Sequence, residues 1–131
     1  MKKSIFYTIA FAIVLISCHK ENNSTDVPPI LIGKWELRQR VGGNTPDSIY
    51  APGNGNICLF TKDSVSFYKN GATINFEAYK LRKVGDNSYT FNFLGAVDNF
   101  WLDTLRTSDN KLSLIPGNPN ASTSIYEKLN P

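Results

Sequence analysis

The stretch Leu31-Ile32-Gly33-Lys34-Trp35-Glu36-Leu37-Arg38-Gln39-Arg40-Val41 decides the fold. Trp35, Leu37 and Val41 fall on one face of an extended chain, and Lys34, Glu36, Arg38 and Arg40 fall on the other. That alternation is the signature of a strand with one face in a core and one in water. Gln39 is the one polar residue on the apolar side. Gly33, two residues before Trp35, lets backbone pass close beneath an indole.

Downstream the chain reads as further short strands. The longest stretch without strand character runs from Gly42 to Gly55, and a loop of that length suits a rim or lid, with Ile49 and Tyr50 apolar enough to tuck against the body. Its glycines lack a Gly-Lys-Ser/Thr ending and a following helix, so they do not form a phosphate loop. Ile57 to Thr61 and Ser64 to Lys69 read as a strand pair, and Asn70-Gly71 is the strongest hairpin signal, since both residues accept positive φ. Along Ala72 to Lys83, Ile74, Phe76 and Ala78 share one face while Tyr79 and Leu81 have the opposite parity, which predicts a bulge near Ala78. Ser88 to Leu94 carries the aromatic face Tyr89, Phe91 and Phe93. Strands over about Asn99 to Thr107, with Trp101 and Leu105 on one side, Lys111 to Ile115 and Thr123 to Leu129 complete the set.

No window has a helical period, and every connection is short enough for antiparallel neighbours. An eight-stranded meander would leave two open edges, and closure removes them. The expectation is an all-β, eight-stranded antiparallel up-and-down barrel, with an interior just wide enough for side chains or one small ligand.

Upstream, Met1-Lys2-Lys3 is a cationic start, and Ile5 to Ile16 is an apolar run too short to span a bilayer comfortably, the form of a secretory signal. It ends in Leu15-Ile16-Ser17-Cys18, which resembles the lipobox of bacterial lipoproteins. The resemblance implies cleavage before Cys18, acylation of its thiol with chains of the palmitate class, and anchoring in a membrane. The expected organisation is a signal peptide over residues 1–17, a polar tether over 18–29 closed by Pro28-Pro29, and one domain over 30–131. The absence of aspartate directly after Cys18 resembles the sorting pattern of outer-membrane lipoproteins, facing the periplasm, and Lys20-Glu21 looks like the tags that send some of them to the cell surface.

Loss of Lys2 and Lys3 with the signal takes the net charge from +3 to +1, and no basic cluster is interleaved with aromatics. Nucleic acid is therefore not an expected partner. Of the two cysteines, Cys58 is left without an intramolecular partner once Cys18 is acylated, and its apolar neighbours Ile57 and Leu59 mark it as a core residue. The one histidine, His19, lies in the tether, so neither a zinc site nor a histidine-based triad can be assembled. Glu77, Asp98 and Asp103 form no pair suited to acid/base work. The chain reads as a non-enzyme with no metal and no cofactor.

Gly33-Lys34-Trp35 at the start of such a meander resembles the Gly-X-Trp signature of lipocalins. With Pro52-Gly53-Asn54-Gly55-Asn56, Leu59-Phe60-Thr61 and Phe67-Tyr68-Lys69-Asn70-Gly71, the wider pattern is similar to small lipocalin-like lipoproteins of the bacterial envelope. In that family the tryptophan plugs the closed end of the barrel, the role implied for Trp35 beside Gly33. The chain is shorter than an ordinary lipocalin, and neither a carboxy-terminal helix nor the later lipocalin motifs are visible. The expected function is that of an anchored envelope protein binding a small apolar ligand, with Tyr50, Phe67, Phe76, Tyr89, Phe91 and Trp101 as lining residues. That reading requires an internal cavity of roughly 300 Å³ or more. The alternative is a protein-interaction or inhibitor module with a solid core, bound to another envelope protein.

Overall fold

The structure, a computed structural model, describes residues 26–94 and 103–130. Its strands are β1 (Gly33–Val41), β2 (Ser48–Ile49), β3 (Asn56–Phe60), β4 (Ser64–Lys69), β5 (Ala72–Gly85), β6 (Ser88–Phe93), β7 (Asp103–Ser108), β8 (Lys111–Ile115) and β9 (Thr123–Lys128). Each strand from β3 to β9 pairs antiparallel with the next, β1 pairs with β3, and β9 returns to β1. The result is a closed eight-stranded up-and-down barrel, consistent with a lipocalin-like architecture. The two-residue β2 adds only a clip on the far end of β1, through Gln39↔Ile49 and Arg40↔Ser48.

Strand direction gives the barrel two unlike ends. Tight turns at 61–63, 86–87 and 109–110, together with residues 26–32, gather at one end, where Leu31 and Trp35 are fully buried. The 42–55 connection, the Asn70-Gly71 turn and the 116–122 loop gather at the other. Asn70 and Gly71 have φ of 52° and 80°, the left-handed pair that a tight hairpin requires.

The core is a contiguous set of inward residues including Leu37, Cys58, Phe60, Val65, Leu81, Leu105 and Leu112. Its aromatic centre is edge-packed: the Phe60 ring lies 5.6 Å from Tyr79 and 6.0 Å from Phe91, and Phe91 lies 4.6 Å from Phe93. Aromatic pairs in this geometry add to the stabilisation that their burial already supplies. The Tyr79 hydroxyl donates to the Thr61 carbonyl at 2.7 Å, so this ring ties β5 to the β3–β4 turn.

Two register breaks correct the simple alternation. In β1, Leu37 opposes Tyr126 and Gln39 opposes Ile125, which leaves Arg38 as an extra residue. Beyond that bulge the parity reverses: Gln39 and Val41 turn outward and Arg40 turns inward. In β5 the break lies at Ile74, between the pairs Phe67↔Asn75 and Tyr68↔Thr73, and not near Ala78. Asn75, Glu77, Tyr79 and Leu81 therefore share the inner face, while Phe76 and Ala78 point out.

Candidate functional site

The turn end is sealed. Trp35 is fully buried and its Nε1 donates to the Leu31 carbonyl at 2.8 Å, holding residues 28–32 across the barrel. The Lys128 ammonium sits 5.2 Å from the indole centroid and donates to the Ile30 carbonyl at 2.7 Å, adding a cation–π contact from β9. Gly33 has φ of +126°, a conformation side chains rarely adopt. A Cβ there would meet only Lys128 Cε, at an ordinary 3.6 Å. The glycine serves the backbone turn into β1, not a close approach to the indole.

The loop end is built by two clamps. Glu36, on the outer face of β1, is only 3% exposed, because the 52–55 turn folds over it. Its carboxylate accepts from the Gly53 N–H at 3.1 Å and the Gly55 N–H at 3.4 Å, and it pairs with Arg38, whose Nε also donates to Glu127 at 2.9 Å. Burial alone pushes this carboxyl up, but the two backbone donors and the guanidinium outweigh it and hold the group below its ordinary value. Asn54 completes the turn by donating to the Leu37 and Ala51 carbonyls at 2.8 and 2.7 Å.

The second clamp joins the 42–45 and 118–122 loops. Asn44 N–H donates to the Asn120 carbonyl at 3.0 Å, and the Thr45 and Ser122 hydroxyls lie 2.7 Å apart. A Cβ on Gly43, whose φ is +70°, would stand 2.7 Å from the Ala121 carbonyl carbon, so only glycine allows this approach. The long connection is thus a fixed rim.

At this rim the β1 bulge turns Arg40, an exposed residue, toward the inner face. Arg40 and Ser124 face each other across β1 and β9, beside the buried Tyr126 ring. Burial, with Cys58 and Tyr50 close by, raises the Tyr126 phenol well above its ordinary value, while Arg40 and Ser124 pull it back. Tyr126 therefore stays protonated, and Arg40 is the cation of this group. Cys58 is fully buried and burial drives its thiol well up, which makes it unreactive. Half-buried Tyr50, Phe67, Phe93 and Leu114 pack against the core; Phe67 pairs with Cys58, Leu114 pairs with Ser124, and Phe93 packs on Phe91.

The expected lining residues divide accordingly. Tyr50 packs on the body at the rim, anchored by its N–H to the Arg38 carbonyl at 2.8 Å, whereas its neighbour Ile49 is 84% exposed. Phe67 faces inward between Cys58 and Asn75, and Tyr89 is an inward, half-buried residue between Lys83 and Leu105. Phe91 is at the core centre, 2% exposed, where it fills space. Phe76 does not line the interior: it stands on the outer face of β5, 64% exposed, because the break at Ile74 reverses its parity. Trp101, Cys18 and Asp98 lie outside the described residues.

Sequence reasoning missed Arg40, Ser124 and Tyr126 as a group, and missed Glu36 as a buried clamp. One signal was present, since polar Gln39 on the apolar side already marked a break in the alternation. The carboxylates considered for acid/base work are held by the fold: Asp103 accepts from the Gly117 N–H at 3.1 Å, and Glu77 from the Asn75 amide at 3.2 Å. Among the described residues, no three His, Cys, Asp or Glu side chains converge as a metal would require.

Among the described residues, three hollows lie on the outside of the barrel. A groove of about 340 Å³ runs along β5 between Val27, Lys62, Phe76, Ala78 and Leu94. A polar one of about 620 Å³ lies beside Arg106 and Lys111, and another of about 750 Å³ borders Gly33 and Lys128. The chain matches no protein-family model, no curated protein and no solved structure, so its own geometry carries the functional reading.

Proposed function

We propose that this chain is a lipid-anchored lipoprotein of the bacterial outer membrane, acylated at Cys18, whose lipocalin-like barrel takes a small, largely apolar molecule at its loop end. The observation that carries the binding reading is the inward turn of Arg40 at the β1 bulge. It places one exposed cation at the rim beside the Tyr126 and Ser124 hydroxyls, with Tyr50 and Leu114 adjoining. A few convergent polar groups in a mostly apolar, concave setting orient a ligand by its polar end. Trp35 and Leu31 seal the opposite end, so entry is from the rim.

The test is titration of the purified protein with a fluorescent long-chain fatty acid. Saturable binding is expected, weakened about tenfold in Arg40→Gln, which corresponds to about 1.4 kcal/mol. Absence of saturable binding, or equal affinity in the variant, refutes the reading.

The alternative, a protein-interaction or inhibitor module, draws on a different observation. The sealed half of the barrel is filled by Trp35, Leu31, Phe60 and Val65, all fully buried, while Ile49 projects from the rim 84% exposed. Capture of an envelope protein that is lost in Ile49→Asp, with no fatty-acid binding, favours that module.

A further inference from the structure

We propose that the outer face of β5 is a membrane-docking surface that rests on the anionic phospholipid to which the tether leads; this rests on the anchoring reading above. The outward row of β5 reads Phe76, Ala78, Lys80, Arg82 and Val84. Phe76 is 64% exposed and Val84 52%, Lys80 and Arg82 are also exposed, and Ile74 and Leu94 project beside them. Outward neighbours across the ladders are Ser64 and Ser66 on β4, and Thr90 and Asn92 on β6, none of them acidic. The one carboxylate lining the adjoining groove is Asp63, next to Lys62.

A row of large apolar side chains interrupted by cations is poorly suited to water. It is well suited to the headgroup boundary of an anionic bilayer, where apolar groups enter the acyl margin and cations meet phosphates.

The tether says which surface covers this face. Val27 forms part of the groove wall and packs against the core, so the chain leaves the barrel beside β5. From Val27 back to Cys18 is nine residues, a span of about 30 Å at most when fully extended. An acyl group on Cys18 therefore keeps the β5 face within reach of the bilayer.

The test is footprinting of the chain as purified from its own membrane, in phosphatidylcholine vesicles with and without phosphatidylglycerol. Hydroxyl-radical labelling of aromatic and aliphatic side chains and acetylation of lysines are both read by mass spectrometry. On vesicles containing phosphatidylglycerol, Phe76, Lys62 and Lys80 are expected to be protected about fivefold relative to detergent micelles, while Ile49 and Lys111 are not. Lys80→Glu/Arg82→Glu abolishes that protection without changing the melting temperature, since both side chains are exposed.

Equal labelling of β5 and of Ile49 and Lys111 on every vesicle overturns the proposal. So does protection that ignores lipid charge and rises with protein density, which marks a contact between copies. The acyl mass on Cys18 is measured on the same preparation. An acylated chain with unprotected β5 refutes the docking alone, and an unacylated chain refutes the anchoring and the docking together.

Discussion

Replacing Glu36 tests whether the 52–55 turn is held by a buried carboxylate. In Glu36→Ala the Gly53 and Gly55 N–H groups lose their acceptor, and Arg38 keeps only the half-exposed Glu127. Hydrogen bonds to a charged group contribute about 1.5–3 kcal/mol each. The 3.4 Å bond is long and Gly53 is exposed, so about 1 kcal/mol per backbone donor is the fitting figure, with a similar amount for the guanidinium. The expected loss is about 2–3 kcal/mol, or about 10–20 °C in melting temperature for a domain of this size.

Glu36→Gln keeps the volume and one acceptor oxygen, and loses about 1 kcal/mol, or about 5 °C. The folded carboxyl lies below its ordinary 4.5, so its stabilisation is complete above that value and is lost as pH falls through the lowered one. Thermal unfolding followed by circular dichroism should show the gap between wild type and Glu36→Gln at neutral pH, closing as the wild-type carboxyl protonates. A gap of the same size from neutral pH down to complete protonation of the carboxylates refutes the assignment. So does a Glu36→Ala variant that melts with the wild type.

Two further outcomes follow from side-chain placement. Phe91→Ala removes the ring packed by Phe60, Tyr79 and Phe93 and should destabilise by about 3–5 kcal/mol, whereas Phe76→Ala, at an exposed position, should stay within about 0.5 kcal/mol; urea unfolding of both separates inward from outward parity on neighbouring strands. Thr107 is 4% exposed and its hydroxyl has no partner among the described residues, so Thr107→Val should raise stability by about 0.5–1 kcal/mol, and a lower melting temperature would mean that the hydroxyl is satisfied.

The architecture was largely legible because its signals are local. The alternation around Trp35, the Asn70-Gly71 turn and the even spacing of short strands each report on a few neighbouring residues, and together they specify a closed meander. What was not legible depends on cross-strand register. Arg38 looks like one more charged residue until its pairing with β9 shows it to be extra, and that single residue carries Arg40 from the outer face to the inner one. Ile74 and Phe76 look like core residues by composition, yet the inner face of β5 near the rim is Asn75 and Glu77. An apolar-inward rule fails there because β5 turns polar side chains inward and apolar ones outward near the rim. Glu36 was assigned to solvent because nothing in β1 announces that a turn almost twenty residues later will cover it. Of the expected lining residues, Phe67 and Tyr89 face inward and Tyr50 packs at the rim, Phe91 is core filling, and Phe76 belongs to the outside surface.

The central claim is that an acylated barrel holds a small apolar molecule by its rim at Arg40. Its most direct test is a native mass spectrum of the protein purified from its own membrane, recorded beside that of Arg40→Gln. The expected spectrum shows a polypeptide beginning at Cys18 with an added acyl mass, and a non-covalent small-molecule adduct that Arg40→Gln diminishes. A bare polypeptide with neither mass would contradict both the anchoring and the binding.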